Sequence, residues 1–220
     1  MQELRAVFEK TGCSIYISHL DLSRCVARAA RRAGIPVWYT EGFNPHPFFT
    51  FALPLSLGQS SVCETMDFKL TEAMPFDEIT ARFNRCMPQG IRVISVAEPK
   101  MKHTAIAWAR YEMVFALEGC EQDMLKEKLE ELMAKPEILV EKKTKSKKLR
   151  SFDFKQSVKE YFIEQTDAGV LLNIVLPAGC TDNVNPTLLS APVAAILGTE
   201  DFYLSIKRIG VYTDKMTNFE

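Results

Sequence analysis

Apolar and charged residues alternate over residues 3–10, where Leu4, Ala6 and Phe8 share one side, and that period of two is the period of a half-buried strand. The period then changes. Leu22, Cys25, Val26, Ala29 and Ala33 recur at helical spacing, which predicts a helix whose apolar stripe lies on a sheet. Ser18 stands as its N-cap with Asp21 three positions on, in the manner of a capping box. Gly34 closes the helix and Pro36 guards its exit. Residues 37–40 read as a short strand, and 41–58 as a turn running into another extended stretch. Along 62–70, Val62, Glu64, Met66, Phe68 and Leu70 share one face of a strand, with Glu64 its odd member. A second helix over 76–87, introduced by Pro75, turns Phe76, Ile79, Phe83 and Cys86 or Met87 inward, and 91–97 is the next strand.

The same order restarts beyond residues 99–106. Tyr111, Met113, Phe115 and Leu117 alternate, and a helix over 121–134 gathers Met124, Leu125, Leu129, Leu132 and Met133 before Pro136 stops it. Extended segments follow near 138–143, 152–162 and 170–176, then a short helix over 186–197 and a strand over 203–211. Strand, helix, strand pair, helix, strand is the ferredoxin-like βαββαβ plan. The expected fold is therefore α+β, with two tandem ferredoxin-like halves: residues 1–100, holding the SHLD helix and the GFNPHP loop, and residues 101–220, holding a basic hairpin at 142–150.

Composition narrows the function more than the fold. With 220 residues, 47% hydrophobic and 25% charged, the chain is of globular type and buries roughly 70% of its unfolded surface. A net charge of −1 predicts no polyanion partner in bulk, so any nucleic-acid contact rests on a local patch. Six cysteines form no CxxC and three histidines form no HxxxH or HExxH, so no metal or cofactor is expected. No signal peptide or membrane-length apolar run is visible, and unpaired thiols then point to the cytoplasm.

Three stretches carry candidate chemistry. Arg24, Arg28 and Arg31 fall at i, i+4 and i+7 with Arg32 beside them, opposite the apolar stripe and with no acid after Asp21 on that helix. They form either a platform of fork donors for phosphates or carboxylates, or a solvated helix face. In SHLD, His19 beside Asp21 is either an acid or base near neutral pH or a satisfied polar residue. No nucleophile or metal set accompanies the pair, so no catalytic residue is assigned; any catalysis would fall to His19 and Asp21. In EGFNPHPFFTFALPLSLG, Gly42, Asn44, Pro45 and Pro47 make a stiff turn around His46. Phe43, Phe48 and Phe49 cannot all point inward from so tight a turn, which leaves a ring for stacking on a base or a partner; the alternative is that all three cover the sheet end. The expected substrate surface is thus Ser18, His19, Asp21, Arg24, Arg28, Arg31 and Arg32 with Gly42, Phe43, Asn44, Pro45 and His46. Finally, KKTKSKKLR sets Lys142, Lys143, Lys145, Lys147, Lys148 and Arg150 together without an acid. It is a solvated hairpin tip or a nucleic-acid patch, and six contacts to a polyanion would give a salt slope of roughly −4 to −5.

The stretch SHLDLSRCVARAARRAGIPVWYTEGFNPHP, running into FALPLSLG, resembles the signature of the bacterial radical-SAM-linked proteins, a family found beside or fused to cobalamin-binding radical SAM proteins. The likeness is dense in the first hundred residues and looser in the second half, through the strand at Asp153 and Pro186 with its short helix. Three positions depart from the pattern: Phe48, Lys155 and Asn185 stand where a basic residue, an arginine and an arginine are frequent. If those groups grip a phosphate, this chain grips it less strongly. It has no CxxxCxxC to hold a radical SAM cluster. The resemblance implies an accessory that binds or presents a substrate to a cobalamin-binding radical SAM protein, and the arginine helix and basic hairpin suggest RNA, tRNA or rRNA, as that substrate. Two other classes stay open. One is a metal-independent endoribonuclease resembling the CRISPR-repeat processing enzymes, with His19 as acid or base. The other is a pure protein-interaction module that docks the radical SAM partner through Phe43 and Phe49.

Overall fold

Leu4, Ala6 and Phe8, the alternating residues of β1 (Gln2–Lys10), are wholly buried. They open the first of two units into which the chain divides, Met1–Ala105 with Asn218–Glu220, and Ile106–Thr217. The structure is a computed structural model and describes residues 1–143, 149–180 and 182–220, the side chains of 142–150 excepted. In the first unit β1 pairs antiparallel with both β3 (Ser60–Leu70) and β4 (Ile91–Ala97), and β2 (Phe49–Phe51) pairs antiparallel with β3. The order across the unit is β4-β1-β3-β2. Two helices, α1 (His19–Arg32) and α2 (Phe76–Cys86), supply Leu22, Val26, Ala29, Ile79 and Phe83 to one core with Leu4, Phe8, Met66, Phe68 and Leu70 of the strands. Each fully buried large side chain there stabilises the fold by roughly 1.5–3 kcal/mol.

Local chemistry sets the ends of these elements. The Ser18 hydroxyl accepts from the Asp21 amide at 3.1 Å at the start of α1, and Gly34, at φ +60, takes the left-handed turn beyond its last residues. The Asn84 side chain both donates to Val93 O and accepts from Val93 N, each at 2.8 Å, so α2 caps backbone groups on β4. Residues 37–40, expected as a strand, make only isolated bridges, Val37 to Leu70 and Tyr39 to Pro47. Pro36, Pro45 and Pro47 lack amide donors, and the segment folds back on itself, with Thr40 N donating to His46 O at 2.9 Å and Phe48 N to Trp38 O at 3.0 Å.

The second unit runs β5 (Ile106–Ala116), α3 (Gln122–Ala134), β6 (Leu139–Lys143), β7 (Leu149–Asp153), β8 (Glu160–Thr166), β9 (Gly169–Pro177), α4 (Ser190–Leu197) and β10 (Tyr203–Thr213). Its sheet has the order β10-β5-β9-β8, antiparallel throughout, while β6 and β7 form a separate two-stranded sheet. The fold is thus mixed α+β with antiparallel sheets. The extended segment expected over 152–162 is broken: Asp153 Oδ1 accepts from the amides of Ile138 and Lys155 at 2.9 and 3.0 Å, and a 3-10 turn, Lys155–Ser157, intervenes before β8. Met124, expected inward, is exposed because it lies one residue off the buried row of Leu125, Leu129 and Leu132. Residues 186–189 are 3-10 rather than α-helical. The first unit runs to Ala105, within the 99–106 stretch where the order of elements was expected to restart, and regains the C-terminal three residues. There the Phe219 ring lies 4.3 Å from the Arg5 guanidinium, and Met101 N donates to Glu220 O at 3.0 Å. Among the described residues no helix is long and apolar enough to cross a membrane.

Candidate functional site

The approach to α1 is fixed from beneath by a buried lysine. Lys10, 2% exposed at the end of β1, donates to Ile15 O at 3.3 Å and Ile17 O at 3.2 Å. These carbonyls belong to the 3-10 turn Gly12–Tyr16 and the residue after it, so the ammonium anchors the segment that delivers Ser18 and His19. Burial pushes the Lys10 pKa down, and the charge of Glu64, also buried, opposes that shift. Ser18 Oγ donates to Asp21 Oδ2 at 2.7 Å, and the exposed His19 ring stands edge-on to Phe51 with centroids 5.1 Å apart.

Along the outer face of α1 the four arginines differ. The expectation of an arginine row with no acid beyond Asp21 to compensate it is corrected for Arg24, which pairs with Asp21 itself: its Nη1 lies 3.3 Å from Asp21 Oδ1 one turn back. Both partners are more than half exposed, so the pair contributes at most about 1 kcal/mol and leaves most of the guanidinium donors free. Arg28 is exposed and has no hydrogen bond or ion pair among the described residues. Arg31 Nη2 makes a long contact, 3.4 Å, to the Tyr39 hydroxyl, which ties the arginine face to the loop that follows. Arg32 instead donates to Cys86 O at 2.6 Å and joins α1 to the end of α2.

The loop is a short hairpin. Beyond its backbone pairs, Thr40 Oγ1 accepts from the His46 amide at 3.2 Å, and His46 Nδ1 lies 3.1 Å from Thr40 Oγ1 and 3.0 Å from Asn44 O. Gly42 takes φ +118 at the tip, where a Cβ would meet nothing within 4 Å, so the backbone conformation alone asks for glycine. Phe43 beside it is fully exposed. Phe49 packs on Phe68 and Phe83, with centroids 5.8 and 6.5 Å away, so it belongs to the core and is unavailable as a docking ring. Phe48 is half-buried, edge-on to Trp38 at 5.6 Å, with Lys69 Nζ 5.6 Å from its ring. The structure therefore gathers Ser18, His19, Asp21, Arg24, Arg28 and Arg31 on one helix and links that helix to the hairpin of Gly42, Phe43, Asn44, Pro45 and His46.

Lys10 and Tyr39 were not anticipated, since nothing local marks a buried ammonium or a cross-loop hydroxyl. Three exposed apolar side chains near the start of α1, Tyr16, Leu20 and Leu57, were also passed over. Leu57 carries a faint signal, because Leu53 and Leu55 before it are buried and the third leucine of the alternation is not. The nucleic-acid patch expected at Lys142, Lys143, Lys145, Lys147, Lys148 and Arg150 lies outside the described residues as far as its side chains go. At the other two departures, Lys155 donates to Met133 O and lies 4.7 Å from the Tyr161 ring, and Asn185 caps the turn Pro186–Leu189. Both positions serve local structure. No group of residues able to hold a metal ion is found among the described residues.

A family model described as "Uncharacterized protein conserved in bacteria (DUF2344)" matches residues 3–186. No curated protein matches the chain. Among solved structures, one chain in a crystal structure of a Cbf5-Nop10-Gar1 complex is similar, with a TM-score of 0.50 at 12% identity, covering 94% of this chain and 48% of that one. This chain thus spans about half the length of that one, and the likeness concerns the α+β fold alone. An unknown protein from Galdieria sulphuraria aligns at 11% identity over 94% of this chain and 98% of that one, with a TM-score of 0.28.

Proposed function

The chain belongs to the bacterial family described as "Uncharacterized protein conserved in bacteria (DUF2344)", and within it we propose a non-catalytic accessory that binds RNA, tRNA or rRNA by class, and presents it to a partner radical SAM enzyme. The observation that carries this reading is the outer face of α1: Arg24 and Arg28 stand exposed, Arg31 joins them, and the hairpin tip with its bare Phe43 is held to the same helix through Tyr39. Guanidinium forks match phosphate oxygens in pairs, and an exposed ring stacks on any unpaired base. A hairpin already cross-bonded through Thr40 and His46 loses little entropy when something docks on it.

The radical SAM partner enters through the resemblance of SHLD and GFNPHP to that protein group, and the cytoplasm as compartment through six cysteines, none of which forms a disulfide among the described residues. We also assign the ferredoxin-like plan to both units. Each places its fourth, first, third and second sheet strands side by side, with β6 and β7 inserted in the second.

Filter binding of RNA at two salt concentrations tests the function. The expected result is affinity that falls with salt and weakens by roughly 1–3 kcal/mol in the Arg24→Ala/Arg28→Ala variant. Absence of binding, or binding indifferent to salt, rejects it. RNA cleavage in chelator that disappears with His19→Ala replaces it by the endoribonuclease reading. Retention of a radical SAM partner that survives loss of both arginines but not of Phe43 replaces it by a protein-docking module.

A further inference from the structure

On the side of the first unit's sheet away from its helices, a cleft of about 240 Å³ opens between the hairpin base and the segment after β4. Its lining follows from strand alternation: Phe49 and Phe51 point into the core, so Phe48 and Thr50 point out, and with them Glu3 of β1 and Asp67 and Lys69 of β3. His103 closes the far wall. The volume lies below the range that encloses drug-sized ligands, which leaves room for a single ring system.

Charge in the cleft is balanced. Asp67 takes Arg5 in a two-pronged contact, Oδ1 at 2.7 Å from Nε and Oδ2 at 2.8 Å from Nη2, and Glu3 takes Lys69 at 2.7 Å. The hydrogen bond from Lys69, together with its charge, also holds Glu3 below the usual carboxylate range. A site so neutralised does not attract phosphate, unlike the outer face of α1. It does retain directional groups. Arg5 uses two of the roughly four acceptor positions of Asp67, and the Thr50 hydroxyl and His103 ring have no hydrogen-bond partner among the described residues. Phe48 offers an aromatic wall whose orientation is set by Trp38 and Lys69.

Resting on the RNA reading, we propose that this cleft receives one unstacked nucleobase bearing an exocyclic amine, adenine, cytosine or guanine rather than uracil. Phe48 is the stacking wall and the Asp67 carboxylate accepts from the amine, the pairing of an acid with an amino group that reads base edges elsewhere. Thr50 completes the contact with the base edge. Phosphates then run along the arginine helix while the base specificity resides on the opposite side of the sheet.

Anisotropy titrations of the full chain with eight-nucleotide oligo(A), oligo(C) and oligo(U), at one salt concentration, test this. Oligo(A) and oligo(C) are expected to bind roughly tenfold tighter than oligo(U). The Phe48→Ala variant should bring oligo(A) close to oligo(U), Phe48→Tyr should restore the preference, and Thr50→Val should reduce it. The Arg24→Ala/Arg28→Ala variant should weaken all three alike and leave their ratio intact. Equal binding of the three oligonucleotides, or an oligo(A) preference untouched by both Phe48→Ala and Thr50→Val, overturns the cleft while the RNA reading stands. No binding of any oligonucleotide overturns both. Phe48→Tyr and Thr50→Val keep the inference open to refutation if Phe48→Ala does not fold.

Discussion

The helices α1 and α3 each follow the first strand of their unit, yet their charges are arranged in opposite ways. On α1 four arginines face one aspartate, a net of +3, and only Arg24 finds an acid on its own helix. On α3 two lysines stand among four acids, a net of −2, and both pair in cis, Lys126 with Glu130 and Lys128 with Glu131. The entry to each helix differs as well. Ser18 caps α1 through its hydroxyl, whereas Glu121 makes no side-chain cap on α3. Position along the chain therefore places no function by itself; function follows from which charges are left uncompensated on the scaffold.

The deepest difference lies under α1, where the buried Lys10 has no counterpart described on the approach to α3. Lys10→Met removes the donor to Ile15 O and Ile17 O and leaves both carbonyls without it. Denaturant unfolding should register a loss of roughly 1–3 kcal/mol. Because burial lowers the Lys10 pKa, the unfolded chain binds the extra proton between the folded value and the ordinary lysine value of about 10.4. Stability contributed by this group should accordingly rise with pH across that window, and the rise should vanish in Lys10→Met.

The next effect is on binding. Removing Arg24 and Arg28 should lower the magnitude of the salt slope for single-stranded RNA by about 1.4, two phosphate contacts at about 0.7 each. The matched Lys126→Ala/Lys128→Ala variant of α3 should leave both slope and affinity unchanged in the same titration. Smaller still is the cap. Ser18→Ala should cost about 1 kcal/mol in thermal unfolding, and Glu121→Ser should recover a similar amount on α3 by supplying the hydroxyl that it lacks. The smallest effect belongs to the exposed pair Lys126–Glu130, whose coupling in a double-mutant cycle should be about 0.3–0.5 kcal/mol.

Much of this comparison was legible along the chain. The period of α1, its cap at Ser18 and its closing Gly34 involve residues within four positions of each other, and the arginine row is read from the same spacing. The short strand expected at 37–40 failed because three prolines favoured self-pairing over sheet pairing, a competition that a hydrophobic pattern does not register. Phe48 and Phe49 are adjacent aromatics with opposite fates, one half-buried in a polar cleft and one in the core, decided by which face β2 turns towards β3. Arg24 finds its partner in Asp21, the acid that also belongs to the cap, a pairing that the spacing of the arginines does not register.

What the sequence determined by itself was the set of elements, because caps, prolines and the periods of two and 3.6 act over a few bonds. What only the tertiary structure decided was partnership: Lys10 beneath the turn before α1, Asn84 on Val93, Tyr39 beside Arg31, and Asp67 with Arg5 at the floor of the cleft. These contacts join residues up to 62 positions apart. Their energies depend on burial and on distances of about 3 Å, which exist only once the strands have found their register.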